Sequence, residues 1–229
     1  IFGYAAPGWP EKAAELAFKD ASISHTKNGI YGEMFVAAMI SAAFVHTSVD
    51  EIINAGLGEI PKNCRLAVAV RETITWCREE ENWEAVWARI DASYGKYHGV
   101  HTINNAALVV MGLIFGSENF ETGIVTTVRG GRDTDCNGAT VGSILGVKFG
   151  AQALPSKWTR VFNDTLKSAV QGHEKNKISQ LAERTLRVAI SLREDVGKPP
   201  APDDESNLQD NCGGIWLLET GWGTQLLDF

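Results

Sequence analysis

Residues 130–146 read Gly-Gly-Arg-Asp-Thr-Asp-Cys-Asn-Gly-Ala-Thr-Val-Gly-Ser-Ile-Leu-Gly. Two carboxylates, Asp133 and Asp135, follow a pair of glycines and precede a run of small residues. Carboxylate oxygens are the donors that Mg²⁺, Ca²⁺ and Mn²⁺ prefer, and glycines allow a tight turn close to a ligand. The later glycines recur every four residues, which is helical spacing. The stretch therefore predicts a metal-binding turn that leads into a helix.

Two other interpretations of the aspartate pair follow from the local pattern. In the first, Asp133 or Asp135 caps the N-terminus of the helix with its side chain and binds no metal. In the second, the segment is an EF-hand calcium loop, because its first, third, fifth and sixth positions would be Asp133, Asp135, Asn137 and Gly138. That pattern then fails, since Val141 and Ile144 stand at the ninth and twelfth positions and offer no side-chain oxygen.

Three segments of the chain resemble the ADP-ribosylglycohydrolases, all-helical enzymes that remove ADP-ribose from modified side chains. The run 133–146 resembles the C-terminal metal motif of that family. Residues 20–39 and 101–109 resemble its central part, and the three segments occur in the family's order. The resemblance implies an all-α, compact multi-helix domain and a metal-assisted hydrolase. Its reaction would be cleavage of the glycosidic bond between ADP-ribose and an acceptor.

The resemblance places Asp133, Asp135 and Cys136 in a two-metal site for Mg²⁺, with Mn²⁺ as a second candidate. Many relatives have threonine at the position of Cys136, and a thiol is a poor ligand for Mg²⁺. We expect the Cys136 side chain to pack as a small hydrophobe while oxygen atoms complete the coordination. Arg132 replaces an aromatic residue of many close relatives, and we expect it to pair with a nearby acid.

The resemblance also implies a substrate site. His25, Tyr31 and Gly32 correspond to a segment that contacts ADP-ribose, which suits imidazole hydrogen bonding, ring stacking and close backbone approach. We predict that His25 and Tyr31 face the same cleft as the two aspartates. Asn104 and Asn105 are expected to orient polar groups near the site. The partner would be ADP-ribose or an ADP-ribosylated molecule, with arginine, serine or another side chain as acceptor.

One part of the family's metal shell has no counterpart in the sequence. The family pairs its late aspartates with a Thr-Asp-Asp triplet from the N-terminal half, and these 229 residues contain no such triplet. We therefore expect residues 1–196 to be a partial domain that lacks its N-terminal part, has no assignable catalytic acid or base, and is inactive alone. A non-catalytic ADP-ribose-binding relative is the alternative. Residues 197–229 read as a linker and an unassigned C-terminal segment.

Composition narrows the class of protein. The net charge is −7 and 44% of the residues are hydrophobic. Nucleic acids and anionic membranes require basic surfaces, so neither is an expected partner. Four scattered cysteines without zinc spacing indicate reduced thiols, which favours the cytoplasm. No apolar run approaches the roughly 20 residues that span a bilayer.

Apolar residues recur at helical spacing through most of the chain, and strand alternation of useful length is missing. Ser48 and Glu51 match a capping box before a short helix that ends near Gly58. We expect the tryptophans, Trp87 among them, to fill the core or interfaces. The longer predicted helices are 66–77, 83–90, 104–115, 120–128, 139–149 and 178–192.

Overall fold

The computed structural model describes residues 1–196, which form eleven α-helices and a small two-stranded sheet. The all-α class is confirmed. No helix in this part of the chain has both the length and the hydropathy to cross a bilayer. The predicted linker and C-terminal segment, 197–229, lie outside the described residues. The helices are α1 Phe2–Ala5, α2 Pro10–Ser24, α3 Asn28–Ala42, α4 Val49–Gly58, α5 Arg65–Glu79, α6 Trp83–Tyr94, α7 Thr102–Phe115, α8 Phe120–Arg129, α9 Thr134–Phe149, α10 Ser156–Thr159 and α11 Ile178–Val196.

The sheet lies between α10 and α11. Strand β1, Thr165–Lys167, pairs antiparallel with β2, Lys175–Lys177, so that Leu166 is opposite Asn176. Three-residue strands are too short to show the alternation by which a sequence reveals a strand, and the sequence analysis did not detect them.

Helix α7 lies at the centre of the fold. It packs against α3, α4, α5, α6, α8 and α9. Its side chains are buried on every face, as for Leu108, Val110 and Leu113, which is expected of a helix that is apolar all round. Helices α3 and α9 both pack on α7 and also contact each other. Helix α7 contains most of the second segment that resembles the family, 101–109. It packs against α9, which contains the third segment, and against α3, which contains part of the first.

Helix α9 begins five residues earlier than the predicted start at 139. Asp133 is its N-cap, so Asp135 and Cys136 lie inside the first turn. The helix starts at Thr134 in spite of its glycines, because it buries the apolar side chains of Ile144 and Leu145 completely. Burial of such side chains outweighs a glycine cost of roughly 0.5–1 kcal/mol each.

Helix α4 forms as predicted, but the capping box does not. Ser48 occupies the N-cap position without a side-chain capping hydrogen bond. The carboxylate of Glu51 instead faces His46, with Oε2 3.6 Å from Nδ1. The pattern therefore located the start of the helix and misassigned the partner of Glu51.

Gly112 allows α7 and α8 to cross at close range. A Cβ at this position would overlap Oγ1 of Thr127. That hydroxyl is buried and donates to the carbonyl of Gly123 at 2.7 Å. The Thr127 side chain cannot swing aside without leaving a buried donor and acceptor unpaired.

We expect Gly112→Ala to lower the free energy of unfolding by about 1–3 kcal/mol, because the crossing would be overpacked. Chemical denaturation measures this. Gly146→Ala is the matched control, since Gly146 also lies inside a helix and a Cβ there meets nothing within 4 Å. The control should be neutral or more stable by up to about 1 kcal/mol through helix propensity. Equal stability of the two variants would contradict the proposed need for a close crossing.

Candidate metal centre and adjoining cleft

Asp133, Asp135 and Cys136 form a cluster at the N-terminus of α9. A carboxylate oxygen of each aspartate and the Sγ atom all lie within 4.8 Å of one another. Asp133 is partly buried, whereas Asp135 and Cys136 are exposed. Although Asp133 is the N-cap residue, its side chain makes no capping hydrogen bond. The capping interpretation therefore does not account for the Asp133 carboxylate, which accepts no hydrogen bond from the helix backbone.

The structure rules out the EF-hand interpretation. Residues 134–149 form one continuous helix, whereas an EF-hand needs a twelve-residue loop that wraps around the ion. Val141 and Ile144 are fully buried. The third candidate ligand, Asn137, uses its side-chain amide to bind another part of the protein.

That partner is Asn105, which connects α7 to the metal motif. Its Oδ1 accepts hydrogen bonds from the backbone N–H of Asp133 at 3.2 Å and from Nδ2 of Asn137 at 2.7 Å. Its Nδ2 donates to the carbonyls of Gly99 at 2.8 Å and His101 at 2.9 Å. Asn105 and Asn137 are both buried, so these bonds satisfy groups that water cannot reach. Asn105 therefore orients the backbone of Asp133 and the side chain of Asn137; that Asn104 and Asn105 serve a functional site stays a prediction.

Arg132 and Cys136 depart from the common family motif, and only the expectation for Arg132 agrees with the structure. Arg132 pairs with Asp91 of α6, as expected. Cys136 is exposed, so the expectation that its side chain packs in the interior was wrong. Because α9 starts early, Cys136 lies in its first turn, beside Asp133. Partial burial raises the pKa of the thiol, and a hydrogen bond to Asp133 together with the charges of both aspartates raises it further.

A cleft of about 210 Å³ opens between α3, α7 and α9. Gly32 brings α3 close to the start of α7, since a Cβ there would overlap Oγ1 of Thr102. Asn105 and Asn137 form part of the wall, so the cleft adjoins the residues that hold the metal motif. The lining residues are Gly32, Phe35, Val36, Thr102, Asn105, Ala106, Val109, Asn137 and Thr140.

His25 and Tyr31 are not among the residues that line this cleft. His25 is exposed at the C-terminal end of α2, where its Nδ1 lies 2.7 Å from Oγ of Ser24. Tyr31 is partly buried and packs against the main hydrophobic core. The convergence of these two side chains with both aspartates on one cleft stays a prediction.

Glu33 is an acidic residue that interacts with both His25 and Asp20. Burial raises the pKa of Glu33, the neighbouring Asp20 raises it further, and His25 opposes this effect. The three side chains thus form one electrostatic group where α2 meets α3.

A comparison with protein-family models matches the ADP-ribosylglycohydrolase family over residues 1–195. The chain belongs to the ADP-ribosylglycohydrolase family. Comparisons with curated proteins and with solved structures give no match. The matched range includes the aspartate cluster, Asn105 and the cleft, and it supports a hydrolase of this family.

Sequence reasoning did not single out Thr102 and Thr140 of this family member, and it considered Asn137 only as a ligand of the calcium loop. The helical spacing of these polar residues in the sequence could have indicated a shared position. Thr102 stands one turn before Asn105, and Asn137 stands one turn before Thr140. Polar residues at this spacing share one helix face.

We expect Asn105→Ala to lower the free energy of unfolding by about 1–3 kcal/mol, because buried groups lose their partners. It should also weaken Mg²⁺ binding, since the backbone of Asp133 is released. Denaturation and isothermal titration calorimetry measure the two effects.

Asn82→Ala is the control for this pair of measurements. Asn82 caps α6 by accepting a hydrogen bond from the N–H of Ala85 at 2.9 Å, and loss of such a cap costs about 1 kcal/mol. The control should leave Mg²⁺ affinity unchanged. Equal losses of affinity in both variants would mean that Asn105 acts only through general stability.

Proposed function

We propose that this protein is a metal-assisted hydrolase that cleaves the bond between ADP-ribose and an acceptor, with Mg²⁺ as its metal and Mn²⁺ as a second candidate. The observation that carries the proposal is the pairing of Asp133 and Asp135 at the start of α9, next to a cleft. The family match over residues 1–195 supports the class of reaction.

The donor set fits Mg²⁺. Two carboxylates supply hard oxygen ligands, and Mg²⁺ is commonly held by one or two carboxylates while it keeps several waters. A thiol is a poor ligand for Mg²⁺, and we propose that a backbone carbonyl or water completes the coordination in place of the Cys136 sulfur. In this family the bound ions would act as template and Lewis acid for the ribose.

The remaining residues of the proposed site bind and orient. Asn105 fixes the backbone of Asp133, so the carboxylate is held before a ligand arrives. Gly32 lines the cleft, and we propose that it contributes to the ADP-ribose site through its backbone, because the space beside its Cα is filled by Thr102. We propose that His25 and Tyr31 contact the ADP-ribose, His25 by hydrogen bonding and Tyr31 by its ring.

Isothermal titration calorimetry tests the proposal with Mg²⁺ alone and with ADP-ribose in the presence and absence of Mg²⁺. Asp133→Asn and Asp135→Asn should each weaken Mg²⁺ binding by at least about tenfold, the smallest loss typical of residues around metal ions. ADP-ribose binding should depend on Mg²⁺ and weaken in parallel. The control Asp50→Asn removes an exposed carboxylate that pairs with Arg78 at 3.6 Å, and it should change neither.

The outcomes separate the candidate functions. Release of ADP-ribose from a modified protein, lost in Asp133→Asn, supports the hydrolase. Mg²⁺-dependent ADP-ribose binding without release agrees with the expected inactivity of residues 1–196 alone and also with the non-catalytic relative. Mg²⁺ binding that is unchanged in both aspartate variants would refute the proposed metal site.

Cys136 provides a test of ligand type. We expect Cys136→Thr to retain or improve Mg²⁺-dependent function and Cys136→Ala to have a mild effect, because oxygen atoms complete the coordination. Titration of each variant with Mg²⁺ and with Zn²⁺ measures the preference. Loss of metal binding in Cys136→Ala, together with a parent protein that prefers Zn²⁺, would show that the sulfur coordinates.

A further inference from the structure

Helix α6 contacts the loop before the metal motif at two points that are one helical turn apart. Trp87 Nε1 donates a hydrogen bond to the carbonyl of Gly130 at 2.9 Å. Asp91, four residues later, forms an ion pair with Arg132. These two contacts hold the residues that directly precede Asp133.

The loop needs such support because its backbone is unfavourable. Gly131 has a φ of 78° and Arg132 has a φ of 65°. The left-handed region suits glycine, but it is disfavoured for a residue with a Cβ such as arginine. Strained backbone of this kind persists only where surrounding contacts hold it in place. The guanidinium of Arg132 and the Asp91 carboxylate supply one such contact.

The C-terminal end of α6 is shaped around this ion pair. Gly95 follows the helix, and a Cβ on it would overlap the backbone carbonyl of Asp91. The same Cβ would lie 2.7 Å from Oδ1 of Asp91 and 3.2 Å from Nη2 of Arg132. Only glycine at position 95 leaves room for both partners.

We propose that Trp87 and Asp91 are positioning residues that fix the loop Gly130–Asp133 and, through it, the carboxylates of the metal motif. Asn105 holds Asp133 from α7, and α6 holds the preceding residues. The sequence indicated only that Trp87 fills the core or an interface, whereas the residue is 37% exposed and its indole N–H donates to a defined acceptor. The expected effect on Mg²⁺ binding rests on the proposed function. The effect on the loop itself does not.

Two variants of the 229-residue chain test the proposal. Trp87→Phe removes the indole N–H without changing charge. Arg132→Gln removes the ion pair and also a positive charge close to the cation site. If these residues affected the site only through their charge, Arg132→Gln would tighten Mg²⁺ binding and Trp87→Phe would leave it unchanged. Positioning predicts that both variants weaken Mg²⁺ binding, by about tenfold, as for other residues that orient metal ligands.

Hydrogen–deuterium exchange of the amides in residues 130–135 tests the loop without any metal. Both variants should speed exchange there, because the loop loses one of its fixed contacts. The control is Trp76→Phe, which alters a tryptophan that packs against Tyr94 at 6.0 Å and lies under Arg89. This control should leave loop exchange and Mg²⁺ affinity as in the parent protein.

The two proposals fail in different ways. Unchanged loop exchange in both Trp87→Phe and Arg132→Gln overturns the positioning role, whether or not Mg²⁺ binds. Tighter Mg²⁺ binding in Arg132→Gln overturns it as well. Mg²⁺ binding that does not respond to Asp133→Asn overturns the proposed function, while faster loop exchange in the two variants would still support the positioning of the loop by α6.

Discussion

The candidate site depends on a buried amide, the side chain of Asn105. Its oxygen accepts from the backbone of Asp133 and from Asn137, and its nitrogen donates to two carbonyls of the segment before α7. An amide at such a depth is costly unless its bonds are made. Three separate chain segments must therefore meet in one arrangement. The position of the metal motif relative to the cleft follows from this requirement.

The aspartates at the start of α9 contribute to helix stability and are also the ligands that we propose for a cation. Carboxylates in the first turn of α9 are favoured by the positive end of the helix dipole, which stabilises the helix without a side-chain cap. Since Asp133 makes no capping bond, helix stability and cation binding do not compete for its oxygens.

Much of the fold was evident from the sequence, because the long helices carry strong apolar periodicity and the family motifs occur in order. The start of α9 was not, since glycine-rich sequence reads locally as a turn, and only the burial of Ile144 and Leu145 shows why the helix extends. The cluster of Asp133 and Asp135 could be expected from the sequence because a motif contains both residues. Trp87 and Thr140 escaped because their roles arise from contacts between helices that no local pattern contains.

The composition of the cleft has an energetic consequence for any molecule that enters it. Four of its lining residues, Val36, Thr102, Val109 and Thr140, are branched at Cβ and have few rotamers to lose. Gly32 and Ala106 have no side-chain rotamers, and the two asparagines are already fixed by their mutual hydrogen bond. Binding usually costs conformational entropy for each side chain that it immobilises. Here most of that entropy was lost when the protein folded, so a ligand retains more of its contact energy as affinity.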